Sequence, residues 1–453
     1  MKQTVKQALL KHDRLVPRYT SYPTAPHFMA GASQNWFQEK LAAIPDSSAI
    51  SLYIHVPFCP KLCWFCGCHT RITNHYAPVE EYLALLLAEL TMLLPYISGR
   101  GLRISHLHFG GGSPTILNAS DFQMLMAALQ EHFGFVPDAE IAIEIDPRNI
   151  NKEKVEAYAA SGINRVSFGI QDFDPRVMAA VNRPQTYELD LEAINLCRDA
   201  GIEKINFDLM YGLAHQTNYT MRLSAEKALS LHPDRIALFG YAHVPWLKKH
   251  MRLLPEDALP SAEQRLELFE VAAAVFEDNG YIPVGIDHFA REGDALTAAL
   301  RDHRLRRSFQ GYTDDGAANL IALGASAISH FDDAYTQNLT FLPQYRDRVA
   351  AGTFPIEKYC VLDEADKLHG RIIKEMMCNL SVNPLKEADA AGLGDYDFAQ
   401  VYEQLHALAE DDLVRILPDG TIHALVRQAA RLVCAHFDTR LSASTQRRHV
   451  SAS

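Results

Sequence analysis

Residues 52–68 read Leu52-Tyr-Ile-His-Val-Pro-Phe-Cys-Pro-Lys-Leu-Cys-Trp-Phe-Cys-Gly-Cys68. The first half is an apolar, β-rich run; the second carries Cys59, Cys63 and Cys66, spaced three and then two residues apart. Three thiolates so placed can hold an iron-sulfur cluster while leaving one iron unclaimed, because four cysteines normally close a four-iron cluster. The same logic separates an open catalytic metal site from a closed structural one. Zinc is the competing reading, since cysteine pairs in intracellular chains more often hold structural zinc. It fits poorly: zinc ribbons pair two knuckles, and Cys197, Cys360, Cys378 and Cys434 are isolated in segments of helical pattern. Cys68 remains open as a fourth ligand, although its separation of only two residues from Cys66 strains joint ligation.

Working outward, short β-rich runs alternate with longer amphipathic stretches. Strands are expected at Ile50–Val56, Ile104–Phe109, Glu140–Ile145, Arg165–Ile170, Lys204–Met210 and Arg235–Tyr241. Helices are expected at Val79–Ile97, Ser120–Phe133, Lys152–Ala160, Leu189–Ala200 and Tyr219–Leu231, where apolar residues recur every three to four positions. Six strand-then-helix repeats imply an α/β fold with a parallel sheet, a complete or partial barrel. Chemistry in such folds gathers at the C-terminal strand ends. The cysteine run follows the first strand directly and falls there.

The flanks differ in character. Residues 1–48 are polar and proline-containing, with the run Pro17-Arg-Tyr-Thr-Ser-Tyr-Pro-Thr24, and are expected to bury no regular face but to drape as an extension over the active site. Residues 49–355 are expected to form the barrel with its flanking elements, including a helix from Ser261 to Asn279. In residues 356–453, helices near 363–378, 397–409 and 425–437 surround a hairpin signal with Pro418-Asp-Gly420 as its turn. That pattern suggests a small winged-helix-like domain. No basic recognition helix accompanies it, so a lid or packing role is expected.

At 453 residues the chain can bury a full core and a smaller domain. A net charge of −12 argues against a nucleic-acid binder with a broad basic surface, while leaving room for an anionic small molecule in a local arginine pocket. No signal core or run of about eighteen apolar residues occurs, so a cytoplasmic protein without a membrane span is expected. Eight cysteines in a reducing compartment are better read as ligands and small buried residues than as disulfides.

Each strand end carries polar residues. His108-Phe-Gly-Gly-Gly-Ser-Pro-Thr115 ends the second strand. Its glycines would let backbone amides approach a ligand, although a Gly-Gly-Gly turn alone is as often a tight loop. Glu144 and Asp146 alternate onto one side of the third strand, ready for ribose hydroxyls or an amine, or else for a structural ion pair with Arg148 or Arg165. Gln171, Asn182-Arg183, Asn206, Asp208 and Tyr241-Ala-His-Val-Pro245 continue the series. One such residue would be a satisfied core group; four consecutive strands make a ligand-lined mouth. His55, His106, His108 and His243 individually favour core roles.

These residues carry a resemblance. The cysteine spacing, followed by Gly110-Gly-Gly-Ser-Pro114, is similar to the radical S-adenosylmethionine superfamily, and implies a partial (β/α)6-type barrel of that kind. Pro17–Thr24, Cys66-Gly-Cys68, Gly169-Ile-Gln-Asp-Phe173, Asp208-Leu-Met-Tyr-Gly-Leu213, Tyr241–Pro245 and Phe309-Gln-Gly-Tyr-Thr313 resemble the oxygen-independent coproporphyrinogen III oxidases, from about residue 15 to 440.

The resemblance implies that Cys59, Cys63 and Cys66 ligate a [4Fe-4S] cluster whose open iron takes one S-adenosylmethionine, held also by Tyr53, Gly111, Glu144 and Ile328. A second S-adenosylmethionine would be held by Phe65, Gly112, Ser113, Gln171, Arg183, Asp208 and Ala242; the family usually has threonine where Ser113 stands. Tyr53, Glu144, Gln171, Arg183 and Asp208 would serve catalysis. The implied reaction is oxidative decarboxylation of two propionates of coproporphyrinogen III to vinyl groups, begun by a 5'-deoxyadenosyl radical, in anaerobic haem synthesis. Arg18, Arg148, Arg165 and Arg183 are candidate cations for the propionates. A flavodoxin or ferredoxin would supply electrons to a monomeric enzyme. The nearest alternatives are related haem chaperones and haem-degrading radical enzymes, which Cys68 and the Pro17–Thr24 run disfavour.

Overall fold

The computed structural model describes residues 2–441 and the strand Val450–Ser451. Six parallel strands run side by side in chain order: β1 (Ala49–Val56), β2 (Arg103–Gly111), β3 (Gly134–Ile145), β4 (Arg165–Gln171), β5 (Lys204–Tyr211) and β6 (Arg235–Gly240). Their residues alternate between two environments. Ile50, Leu52, Ile54 and Val56 of β1, Ile143 and Ile145 of β3, and Val166, Phe168 and Ile170 of β4 are buried under the outer helices. The intervening Tyr53, His108, Glu144, Ser167, Asn206 and Asp208 face the concave side. An apolar outward set drives helix packing at about 25 cal/mol per Å2 buried, and period-two alternation then turns every polar partner inward.

The outer helices begin where side chains satisfy orphan amides. Asn118, Asn151, Thr186, Thr217 and Ser261 each accept from the amide of the residue three further on, capping Ala119–His132, Lys152–Ala160, Tyr187–Asp199, Asn218–Ser230 and Ala262–Asp278. Each such cap is worth about 1 kcal/mol.

The barrel does not close. The thirteen-stranded sheet runs on past β1 through Leu320–Leu323, which pairs in parallel, and then through the antiparallel strands Ile328–Phe331, Ala334–Asn338 and Ile356–Val361 to Met29–Ala30. Beyond β6 it ends in His288–Ala290 and Ile282–Val284. Sequence reading left most of residues 286–361 unassigned, because these strands are three to six residues long and too short for periodicity to register.

The C-terminal unit carries the expected hairpin, Val414–Ile416 against Ile422–Ala424, widened to three strands by Ser381–Val382. Its core gathers Leu368, Ile372, Met376, Leu405 and Phe437.

The N-terminal expectation needs correction. Residues 1–48 hold two helices, Gln3–Lys11 and Gln34–Ala43, whose Ala8-Leu9 and Phe37/Leu41 pairs supply short buried stripes. Ala8, Leu9, Tyr19 and Tyr22 join the C-terminal core, while Phe37 and Leu41 join the barrel core. A few apolar side chains per helix suffice when a ready-made core receives them.

Candidate active site

The cysteine loop leaves β1 at its C-terminal end. Two backbone threads hold it there: Ser113 donates its amide to Phe58 O (2.8 Å), and Gly112 donates to Val56 O (2.8 Å). This approach requires glycine, since a Cβ at residue 112 would lie 2.7 Å from Phe58 O and 2.8 Å from Phe58 N. Both obstacles are backbone and neither can rotate away. Gly112→Ala is therefore expected to push the cysteine loop off the glycine turn and to cut bound iron at least severalfold at retained fold, as iron assay and circular dichroism would show.

A cavity of about 170 Å3 opens at this strand end. Cys59, Cys63, Cys66 and Cys68 line one wall, the glycine turn a second, and Glu144, Asp146, Gln171, Arg183 and Asp208 the rest. Cys63 is buried, with Arg183 Nη1 3.4 Å and Arg148 Nη2 3.7 Å from its sulfur. Two guanidinium groups within reach of one sulfur would offset the negative charge of a thiolate-bound group. The four free thiols, the surrounding cations and the glycine rim fit a cluster bound on one side, with Cys59, Cys63 and Cys66 as its expected ligands.

Asp146 anchors these cations. It accepts from Arg148 Nε (2.9 Å) and Nη2 (2.6 Å) and lies 3.5 Å from Arg183. Burial opposes its ionisation, yet Arg183 and Arg148 hold its carboxyl below the usual range. Arg183 also donates to Gly169 O (2.6 Å) and to Gln185 (2.9 Å). A register shift between Gly169 and Gln171, with Gln171 at φ 73°, bulges the end of β4 and re-aims Gln171 into the cavity.

Across the cavity Glu144 accepts the Gly111 amide (3.2 Å) and meets His108 Nε2 at 3.2 Å. Burial raises the cost of its charge, but His108 and the amide hold it below the ordinary carboxylate range. Tyr53 stacks on His108 at 5.9 Å and reaches His55 Nδ1 through its hydroxyl (3.0 Å). Asp208 has no side-chain hydrogen bond or ion pair among the described residues, and burial, then the Glu144 charge, pushes it up to about 7. An unsatisfied carboxyl facing a cavity is poised for a hydroxyl or amine.

Eight of the expected residues meet here: Phe65, Gly111, Gly112, Ser113, Glu144, Gln171, Arg183 and Asp208. Tyr53 stands behind His108. Ala242 lies just past β6, outside the cavity wall, and Ile328 faces a different cavity. Arg165 is displaced further: it sits at the start of β4, bound to Glu140 (2.8 Å), Asn206 (2.8 Å) and Asp294 (3.4 Å), and cannot reach the mouth. Arg18 is exposed and donates to Gly240 O (2.7 Å). Cys68 interacts with Cys66, pulling the Cys66 thiol down and pushing its own up.

Sequence reasoning missed the loop that seals the cysteines from outside. Lys248 donates to Cys68 O (2.9 Å), and His250 Nε2 lies 2.8 Å from Cys66 O. Trp64 and Phe65 pack with Met251 and Leu254 of the same loop. The basic run Lys248-Lys-His250 was the available signal.

A partial parallel barrel with three cysteines in the loop after its first strand defines a radical S-adenosylmethionine protein, and the radical SAM superfamily profile matches residues 53–227. The oxygen-independent coproporphyrinogen III oxidase of Paracoccus denitrificans (strain Pd 1222) is 45% identical over 370 residues, 82% of each chain. That of Escherichia coli (strain K12) is 38% identical over 95% of this chain and 94% of its own. The solved coproporphyrinogen III oxidase (HemN) from Escherichia coli, described as a radical SAM enzyme, superposes with a TM-score of 0.89 at 37% identity, covering 96% of this chain and 99% of that one. The chain belongs to the oxygen-independent coproporphyrinogen III oxidase family. It is a radical SAM oxidoreductase.

Proposed function

We infer that this chain converts coproporphyrinogen III to protoporphyrinogen IX by oxidative decarboxylation of two propionates, in anaerobic haem biosynthesis. The observation that supports this reading, beside family membership, is the convergence of Cys59, Cys63, Cys66 and Cys68, the glycine turn and Glu144 on one cavity. When bound, the reduced cluster and S-adenosylmethionine supply a 5'-deoxyadenosyl radical able to take a hydrogen atom from a propionate.

The chain's own residues position and shield. Cys59, Cys63 and Cys66 would hold the cluster, with Arg148 and Arg183 tempering the charge at Cys63. Glu144 and Gly111 would hold a first S-adenosylmethionine, with Tyr53 bracing from behind through His108. Phe65, Gly112, Ser113, Gln171, Arg183 and Asp208 would hold a second; the unpartnered Asp208 supports this, whereas Ala242 and Ile328 would have to act from outside the cavity. Residues 1–48, 49–355 and 356–453 would act as extension, catalytic barrel and helical cap in a cytoplasmic monomer. No helix among the described residues is long and apolar enough to cross a membrane.

An acidic one-electron carrier such as flavodoxin or ferredoxin would dock over the cysteine loop. Residues 57–76 and 243–254 carry Lys61, Arg71, Lys248, Lys249 and Arg252 and no carboxylate, in a chain of net charge −12. Trp246, Leu247 and Leu253 are exposed among them. Replacing Lys249 and Arg252 by glutamate is expected to slow turnover with such a carrier about tenfold or more at low salt, and to leave turnover with dithionite unchanged.

The reading is tested by anaerobic incubation of the chain with coproporphyrinogen III, S-adenosylmethionine and reductant. Protoporphyrinogen IX and carbon dioxide are expected. Tight haem binding without turnover would move the chain to the haem chaperones.

A further inference from the structure

A second cavity, of about 310 Å3, lies between the N-terminal run Tyr19–Tyr22, the hairpin Arg306–Thr313, the strand Ile328–Phe331 and the helix Glu364–Asn379. Five cations line it, and three are satisfied. Arg307 pairs with Asp287 (3.5 Å) and lies over the Tyr312 ring (4.4 Å); Lys367 pairs with Glu364 (3.1 Å); Arg371 lies 3.8 Å from Glu387. The side chains of Arg306 and Lys374 have no hydrogen bond or ion pair among the described residues.

The carboxylates of the same wall are taken elsewhere. Asp366 accepts from Arg440 (3.1 Å), and Asp315 is 3.3 Å from His106 and accepts from Ser51. Asp332 is exposed and close enough to raise the pKa of Lys367. The local balance is therefore positive in a chain with an excess of acid.

That imbalance has a cost. Burial lowers the pKa of Lys374, and Arg306 beside it lowers it further. His330, stacked on Tyr335 at 4.6 Å, is pushed down to about 4 by burial and then by Lys374. Lys374, half-buried and without a side-chain partner, stands beside the exposed Arg306 on a cavity whose walls include Tyr335, Leu320 and Ile373, and together they make a receptor for an anion on an apolar frame.

The cavity adjoins the active site through shared walls. The cysteine cavity shares Ser167 and Asp208 with a narrow cleft of about 80 Å3 inside the barrel, and that cleft shares Gln310 and Thr313 with the cationic chamber. We propose that Lys374 and Arg306 bind a propionate carboxylate of the porphyrinogen that does not react, fixing the macrocycle while another propionate faces the cysteine cavity. The proposal rests on the function inferred above.

The test uses the full chain with reconstituted cluster in phosphate-free buffer, carrying Arg306→Gln and Lys374→Met together. Coproporphyrin III has four propionates, and protoporphyrin IX keeps only the two that do not react; binding of each is read from quenching of protein fluorescence. Both affinities are expected to fall by a similar factor, about tenfold or more for loss of charge-assisted hydrogen bonds. Lys374→Arg alone is expected to bind like the unmodified chain, and iron content and thermal midpoint should not fall in the double variant. Unchanged binding, or weakening confined to coproporphyrin III, would overturn the proposal. If the unmodified chain binds neither porphyrin, the functional reading itself fails; if it binds both and the double variant does too, only the carboxylate site fails.

Discussion

Cys63→Ser is expected to abolish both the cluster and turnover. A serine hydroxyl keeps its proton where a cysteine yields a thiolate, so the loop would offer two ligands and turn two guanidinium groups toward a neutral oxygen. After anaerobic reconstitution, iron should fall close to background and the broad absorption near roughly 400 nm should vanish. Cys197→Ser is the control. That residue is fully buried in the helix Tyr187–Asp199, under the barrel's outer face. Its hydroxyl would cost about 1–3 kcal/mol of stability through desolvation, with iron retained. Cys68→Ser should also keep its iron, because Cys68 is exposed and is not needed to complete three ligands. Loss of iron there would make Cys68 a fourth ligand.

The second large effect is expected at Glu144. Glu144→Gln preserves shape but removes the charge that accepts the Gly111 amide and faces His108. A ligand amine or ribose hydroxyl in the cavity would lose a charge-assisted hydrogen bond, worth about 1.5–3 kcal/mol. S-adenosylmethionine binding, measured by calorimetry on cluster-loaded protein, should weaken about ten- to a hundredfold. His108→Gln should produce a smaller loss, since the Gly111 amide would still orient the carboxylate. Equal binding by Glu144→Gln and the unmodified chain would remove Glu144 from the ligand site.

What was legible in the sequence follows from the length of each signal. The barrel strands and helices were readable because Ile50, Leu52 and Ile54, or Val166, Phe168 and Ile170, repeat a two-residue period long enough to stand out. The cysteine spacing and the glycine turn were local and equally plain. The sheet beyond β1 was not, because strands such as Leu320–Leu323 gain their stability from neighbours distant in the chain. The helix Gln34–Ala43 was missed for a related reason: its Phe37 and Leu41 are isolated in a polar stretch and make sense only once the barrel core is there to receive them.

The site shows the same division. Glu144 in β3 and Asp146 just past its end both reach the cavity, and the ion pair with Arg148 is among the readings the sequence offers, but the other partners cannot be read from alternation alone. Glu144 meets His108 from the adjacent strand, and Asp146 gathers Arg148 and Arg183 from two loops. Arg165 was misjudged because a strand's polar residues all face inward, while their depth depends on register. At the start of β4 it meets Glu140 and Asp294 well below the mouth.

Three cysteines would leave one iron of the cluster free, and Mössbauer spectroscopy of protein reconstituted with iron-57 tests this directly. Addition of S-adenosylmethionine should shift the signal of one iron site of the cluster and leave the others unchanged. A spectrum indifferent to S-adenosylmethionine, with every iron already held by cysteine, would contradict it.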